Sequence, residues 1–374
     1  MPQISAQKMP MQGVVYALLA ALLFGATTPL AKCLLAGMGP VMLAGLFYLG
    51  SGFGLSLYLA AAPILSRSFK GRSNLPFSEA SLQRQDLPWL AGAVITGGVL
   101  APVLLMLGLA GTKAAAASLF LNLEGVFTAL LAWFVFKENF DRRILLGMLT
   151  IVLGGILLSL NISSTGSILS GAWDIGGGVP LIMAACLCWA MDNNLTRKVS
   201  NANPAQIACL KGLFAGATNI GVALLGGAAW PSVPYLVLAM TIGFFGYGVS
   251  LVLFVLALRY IGTARSGAYF ALAPFVGAFV AIAFLKEAMS VQIGFAALLM
   301  AIGLWLHLTE AHGHRHSHDG LEHEHEHAHD EHHQHPHKPG QVLAVGERHG
   351  HRHRHDGLTH SHAHFPDWHH NHEH

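Results

Sequence analysis

Residues 111–138 read GTKAAAASLFLNLEGVFTALLAWFVFKE, and residues 262–287 read GTARSGAYFALAPFVGAFVAIAFLKE. Both open on Gly-Thr, pass through small residues into an aromatic-rich apolar run, and close on Lys-Glu. Each run reaches the roughly 20 apolar residues that a helix needs to cross a bilayer core. The chain therefore repeats itself at the scale of a membrane span. Pro40 and Pro204 open two further apolar runs in matching places.

Working outward, the 374-residue chain is 53% hydrophobic and only 11% charged, with a mean hydropathy of +0.51. Soluble domains carry about 25% charged residues, so this composition excludes an ordinary water-soluble enzyme. The composition is uneven. Residues 11–309 are almost wholly apolar, whereas residues 310–374 are polar and hold 23 of the 24 histidines, His307 standing at the junction. Splitting the apolar part at charges and Gly/Pro breaks gives ten expected spans: 11–35, 39–62, 88–109, 114–136, 143–160, 178–196, 204–226, 233–257, 265–285 and 290–308. The first is too long for a signal-peptide core and leads straight into a second, so it is expected to stay uncleaved. The fold class expected is an all-α membrane protein. Its domains are a first five-helix repeat over 11–160, a second over 178–309, and a tail over 310–374.

Lysine and arginine orient the spans. With the N-terminus inside, the inner segments hold twelve basic residues: Lys8, Arg67, Lys70, Arg72, Arg84, Lys137, Arg142, Arg143, Arg197, Lys198, Arg259 and Arg265. The outer loops hold Lys113 and Lys286, with Lys32 near the outer end of the first span. Both termini are thus expected in the cytoplasm. Five spans per repeat is an odd number, so the two halves should enter the membrane in opposite directions. Lys137 then falls inside while Lys286 falls outside, and Lys113 and Arg265 are likewise on opposite sides. Inverted repeats suit alternating access, two similar bundles rocking about a site near the midplane.

The stretches SLFLNLEGVFTALLAWFVFKE, GFFGYGVSLVLFVLALRYIGTARSGAYFALAPFVGAFVAIAFLKE and IGFAALLMAIGLWLH resemble EamA-type members of the drug/metabolite transporter superfamily, over residues 11–309. The resemblance implies ten helices in two inverted five-helix repeats and a bacterial inner-membrane carrier that moves small metabolites, often outward. Gly125 stands where the second repeat keeps Pro274. Phe47 stands where the family often has a basic residue, which the second repeat retains as Lys211. These departures make the halves unequal.

A charge at the bilayer centre costs about 2.5–3.5 kcal/mol on insertion scales, so each needs a reason. Lys32, Glu124, Asp192 and Lys211 are such charges. Glu124 lies near the middle of its span, two residues after Asn122. A carboxyl there either loads and releases a proton, meets a substrate amine, or ties helices together through amides. Asp192 with Asn193 and Asn194 is either the wall of a wet cavity or a helix end at the interface. Lys211 either pairs with Asp192, meets an anionic group, or snorkels, as Lys32 is expected to do. Pro29, Pro102 and Pro274 interrupt spans and free carbonyls, which are tolerated where they face protein or water. Thr27 and Thr28 either bond those carbonyls or line a pathway. Trp189 and Tyr269 either shape the cavity or pack. Gly50, Gly52 and Gly54 suit close helix approach. Cys33, Cys186, Cys188 and Cys209 all sit in apolar stretches and read as small core residues, not as a disulfide or zinc framework.

The tail contains two related blocks, HRHSHDGLEHEHEH from His314 and HRHRHDGLTHSHAH from His351. Alternating His-X-His laced with acids cannot build an apolar core, so the empty tail is expected to be disordered. Imidazole is a ligand for zinc, nickel, cobalt and copper and is largely neutral at cytosolic pH. The candidate ligands are His314, His316, His318, His323, His325, His327, His351, His353, His355, His360, His362 and His364.

These features point to a non-enzymatic, secondary-active exporter of small metabolites whose tail binds divalent metal. Its expected partners are the bilayer, a small-molecule substrate and metal ions. No cofactor is required of the spans, no basic patch suggests nucleic acid, and no feature sets an oligomeric state. Two alternatives stay open: export of nickel, cobalt, zinc or a metal complex itself, and a membrane-anchored metal buffer or sensor.

Overall fold

The computed structural model describes residues 11–68, 84–136, 142–159, 178–199, 203–261 and 263–308, and four tail segments at 312–317, 322–327, 349–354 and 359–364. The chain divides into two compact units, Met1–Thr309 and Glu310–His374. In the first unit every described element is helical. The elements are α1 (Met11–Leu34), α2 (Pro40–Ser68), a 3-10 turn (Arg84–Asp86), α3 (Leu87–Ala93), a π-helical segment (Val94–Leu100) and α4 (Ala101–Ala110). Then come α5 (Ala114–Phe120), α6 (Leu123–Phe136), α7 (Arg142–Ser159), α8 (Val179–Lys198), α9 (Pro204–Leu225) and α10 (Val233–Gly243). A second π-helical segment (Phe244–Val249) leads into α11 (Ser250–Ile261), α12 (Thr263–Phe270), α13 (Ala273–Phe284) and α14 (Val291–Leu308).

Among the described residues, six helical stretches are long and apolar enough to cross a membrane: Met11–Leu34, Pro40–Ala61, Arg84–Ala110, Ala114–Leu131, Ala205–Leu225 and Val233–Ala257. Three more apolar helices are shorter, at Leu145–Ser159, Ala273–Phe284 and Val291–Leu306. The remaining expected span, 178–196, coincides with α8, which carries Asp192, Asn193 and Asn194 and is correspondingly less apolar. The outer surface requires lipid. Phe134, Phe284 and Val291 are 71%, 73% and 77% exposed, and such large side chains are not left to water in number.

The two sequence halves pack against one another as well as within themselves. α2 lies along α9, α1 along α11 and α13, α7 along α14, and α4 and α6 along α8. Glycine makes the α2–α9 contact close: a Cβ at Gly212 would lie 2.5 Å from the Gly52 nitrogen, and one at Gly216 would lie 2.5 Å from the Leu49 nitrogen. Gly50 does the same against Met240 of α10, and Gly54 against Phe244. Asn203 starts α9 by accepting the Ala205 and Gln206 amides at 2.9 and 3.4 Å, with Pro204 in the first turn where no amide partner is needed. Cys186 and Cys209 are buried, and the four cysteines are free thiols.

Two spans break midway. α5 gives way to α6 at Leu121–Asn122, and α12 to α13 at Ala271–Leu272, where Pro274 begins the new helix. Both breaks fall inside the two repeated sequence stretches. Two spans also widen by a turn of π-helix, at Val94–Leu100 and Phe244–Val249, each ahead of the half that follows it.

The described segments of the tail are short strands. β1 (His312–Ser317) pairs antiparallel with β4 (Thr359–His364), and β2 (Glu322–His327) pairs antiparallel with β3 (His349–Arg354). The physical reason is that His-X-His alternation is also the two-residue period of a strand. The register of the second pair sets Glu322 opposite Arg354 and Glu324 opposite Arg352, and opposite charges across a ladder stabilise it.

Candidate functional site

A group of hydrogen-bonded and charged side chains of the helical unit gathers around α8. Trp189, Asp192, Asn193 and Thr196 follow at helical spacing and share one face. Asp192 is 5% exposed. One of its carboxylate oxygens is ion-paired with the Lys211 ammonium of α9, and the other accepts from the Thr196 hydroxyl at 3.0 Å. Lys211 therefore neither snorkels nor stands alone, and Asp192 is an internal group rather than a frayed helix end. Beside this pair, Asn193 Nδ2 donates to Glu124 Oε1 at 2.8 Å, which joins α8 to the first turn of α6 just past the break.

The wall behind the pair is made by the first π segment. Pro102 has no N–H, so neither the carbonyl four residues before it (Gly98) nor the one five before it (Gly97) can receive a helix bond from that position. Both carbonyls are satisfied from outside the helix. Tyr48 Oη and Trp189 Nε1 donate to Gly97 O at 2.6 and 3.1 Å, and Asn219 Nδ2 donates to Gly98 O at 3.2 Å. A Cβ on Gly97 would overlap the Asp192 carboxylate. Glycine is required there for room.

Aromatic rings form the opposite side. Tyr247, in the second π segment, packs on Tyr48 with ring centroids 5.2 Å apart, on Phe24 at 5.7 Å and on Phe47 at 5.8 Å. Phe24 continues to Phe270 at 5.4 Å. Thr27 lies beside Tyr247 and donates to Phe24 O at 2.6 Å. In charge terms, the Asp192–Lys211 pair neutralises itself, which leaves Glu124 as an acidic group held by a neutral amide.

The remaining expected residues lie elsewhere. Asn122 is buried and turned toward Leu119 O, at 2.9 Å, and Met300 of α14. Tyr269 packs in the apolar cluster of Ala17, Ala257 and Ile261. Thr28 is buried within α1. Lys32 caps the C-terminal end of α4 through Leu109 O and Ala110 O, at 2.6 and 3.1 Å. Close by, the Glu287 carboxylate accepts the Ala114 and Ala115 amides at 2.7 and 2.9 Å, tying the end of the stretch 262–287 to the start of α5. Lys286, just before it, has φ of 58°, a strained turn that aims Glu287 at those amides. Sequence reading missed Tyr48, Gly97, Asn219, Tyr247 and Glu287. The available signal for the first three was Gly97-Gly98 placed five and four residues ahead of Pro102.

Among the described residues, no group of three or more His, Cys, Asp and Glu side chains is placed to hold a metal. In the tail, ten of the twelve candidate histidines stand in the strands, whereas His318 and His355 lie outside the described residues.

A lipid-requiring helical unit with ion-paired and hydrogen-bonded polar groups at its centre defines a multi-pass membrane protein of the transporter class. Residues 11–160 and 176–309 each match the EamA-like transporter family, and the chain belongs to that family. An uncharacterized transporter of Methanothermobacter thermautotrophicus is 28% identical over 310 residues, covering 82% of this chain and 88% of its own. A solved crystal structure shares the fold at a TM-score of 0.55 and 18% identity, over 79% of this chain and 96% of the other.

Proposed function

We propose that this transporter is a secondary-active carrier of the bacterial inner membrane that exports small metabolites by alternating access. In this reading ten helices form two inverted five-helix repeats, both termini are cytoplasmic, and the site around Glu124, Asp192, Asn193 and Lys211 binds substrate or the coupling proton. The observation that carries it is Glu124, an acidic group inside the apolar unit, bonded by a neutral amide beside an ion pair that is already balanced. Such groups within spans mark substrate and proton pathways. The matched helix breaks and the paired π segments support two halves of similar build. With the N-terminus inside, Lys32 and Glu287 close the outer end, while the exposed Asn193 opens the site inward.

The tail, in the same reading, binds divalent transition metal from the cytosol. Export of a small metabolite is favoured over export of the metal itself by the site's chemistry: of its two carboxylates Asp192 is already ion-paired with Lys211, and the rest of the site is amides and aromatic rings.

The test is uptake by proteoliposomes across a panel of organic amines, neutral metabolites, organic anions and divalent metals, with the full chain, a form lacking residues 312–374, and Glu124→Gln. A metabolite carrier keeps its uptake without the tail and loses it at least tenfold, together with its pH dependence, in Glu124→Gln. Full pH-dependent transport by Glu124→Gln would remove the coupling role. Uptake of nickel, cobalt or zinc alone, dependent on the tail, would replace the metabolite reading with metal export.

A further inference from the structure

The strand pairs of the tail do not form within either histidine block. β1 and β2 belong to the first block and β3 and β4 to the second, and each ribbon takes one strand from each. The register sets His312 opposite His364, His314 opposite His362 and His316 opposite His360. In the other ribbon, His323 stands opposite His353, His325 opposite His351 and His327 opposite His349. Residues two apart on a strand share a face, so each ribbon carries six histidines on one face, three from each block. The alternate positions of the second ribbon set Glu322 opposite Arg354 and Glu324 opposite Arg352. Charge therefore favours the register that brings histidine opposite histidine.

We propose that the two blocks form a joint metal site, each divalent ion taking imidazole ligands from both. This rests on the reading that the tail binds metal, and adds that neither block suffices. The dimensions agree. Residues directly opposite in a ladder have Cβ atoms about 4.5–5.5 Å apart, and neighbouring pairs on one face follow after two rises of about 3.4 Å. Two adjacent pairs thus place four histidines at neighbouring register positions, and four is the number of ligands zinc takes. Cross-block ligation also closes the intervening chain into a loop, so metal fastens two segments far apart in sequence into one clasp. The competing arrangement is a hairpin within each block, which would bind metal in two independent halves.

The experiment is calorimetric titration of the full chain in detergent with zinc chloride, alongside two variants. One replaces His312, His314, His316, His323, His325 and His327 by alanine; the other replaces His349, His351, His353, His360, His362 and His364. The joint site predicts that either variant loses at least tenfold in affinity for its tightest ions. If each variant instead keeps about half of the ions at unchanged affinity, the joint site is wrong and tail metal binding stands. If the full chain takes up no zinc, the metal reading itself falls. Spin labels at Gly313 and Ala363, which stand opposite in the register, give an independent readout. Zinc should leave them at a single short distance, and a long or broad distribution with zinc bound would overturn the cross-block pairing.

Discussion

Asp192 and Lys211 hold opposite charges where little water reaches, with side-chain exposures of 8% and 15%. Removing one partner of such a pair commonly costs about 3–5 kcal/mol, because the survivor is left uncompensated. Asp192→Asn and Lys211→Met should therefore each lower the melting temperature of the detergent-solubilised protein by several degrees. The double variant should recover most of the loss, since neither charge remains; a double variant as unstable as the two losses added would contradict the pairing. Glu124→Gln keeps an oxygen to accept from Asn193, so its stability should shift by less than about 1 kcal/mol while transport fails. Glu124, Asp192 and Lys211 were legible in sequence because a charge inside a span always asks for a reason. Their partners were only half legible. Asp192 and Lys211 could be matched as opposite charges on neighbouring spans, whereas the Glu124–Asn193 bond depends on how α6 meets α8. Asn122 illustrates the limit: two residues from Glu124, it turns to the far side of the helix break and joins α14.

Pro102 and the π segment before it turn a backbone irregularity into a wall behind the Asp192–Lys211 pair, and this sets the predictions for the element. Gly97→Ala drives a methyl into the Asp192 carboxylate and should destabilise the protein by about 1–3 kcal/mol with loss of transport. Gly125 is helical and has nothing within 4 Å of a built Cβ, so Gly125→Ala should be neutral or stabilise by up to about 1 kcal/mol. Equal losses at both positions, measured by thermal melting and uptake, would contradict the close approach at Gly97. The sequence marked Pro102 as a span interruption. It did not say which donors would fill the freed carbonyls, because Tyr48, Trp189 and Asn219 arrive from α2, α8 and α9. The tail strands were not expected for a different reason: a segment that cannot build an apolar core reads as disordered, yet His-X-His alternation is also the two-residue period of a strand.

For the whole molecule, the repeated stretches at 111–138 and 262–287 make a helical membrane protein legible in the sequence, and the family match over both halves agrees. The count of spans was less secure. The helices that carry polar groups or break midway are those whose apolar length falls short, so the site itself blurs the hydropathy signal. Removing residues 312–374 should leave the helical unit folded, with a melting temperature within a few degrees of the full chain in the absence of metal, since the two units are separately compact. A collapse of the tail-less form would show that the helices depend on the tail. The central claim is that the two halves thread the bilayer in opposite senses around the Glu124 site. Single cysteines at positions 113 and 265, in a background without Cys33, Cys186, Cys188 and Cys209, test it with a membrane-impermeant thiol reagent applied to intact cells and to inverted vesicles. Opposed halves predict that position 113 reacts only from outside and position 265 only from inside; reaction of both from the same side would contradict the account.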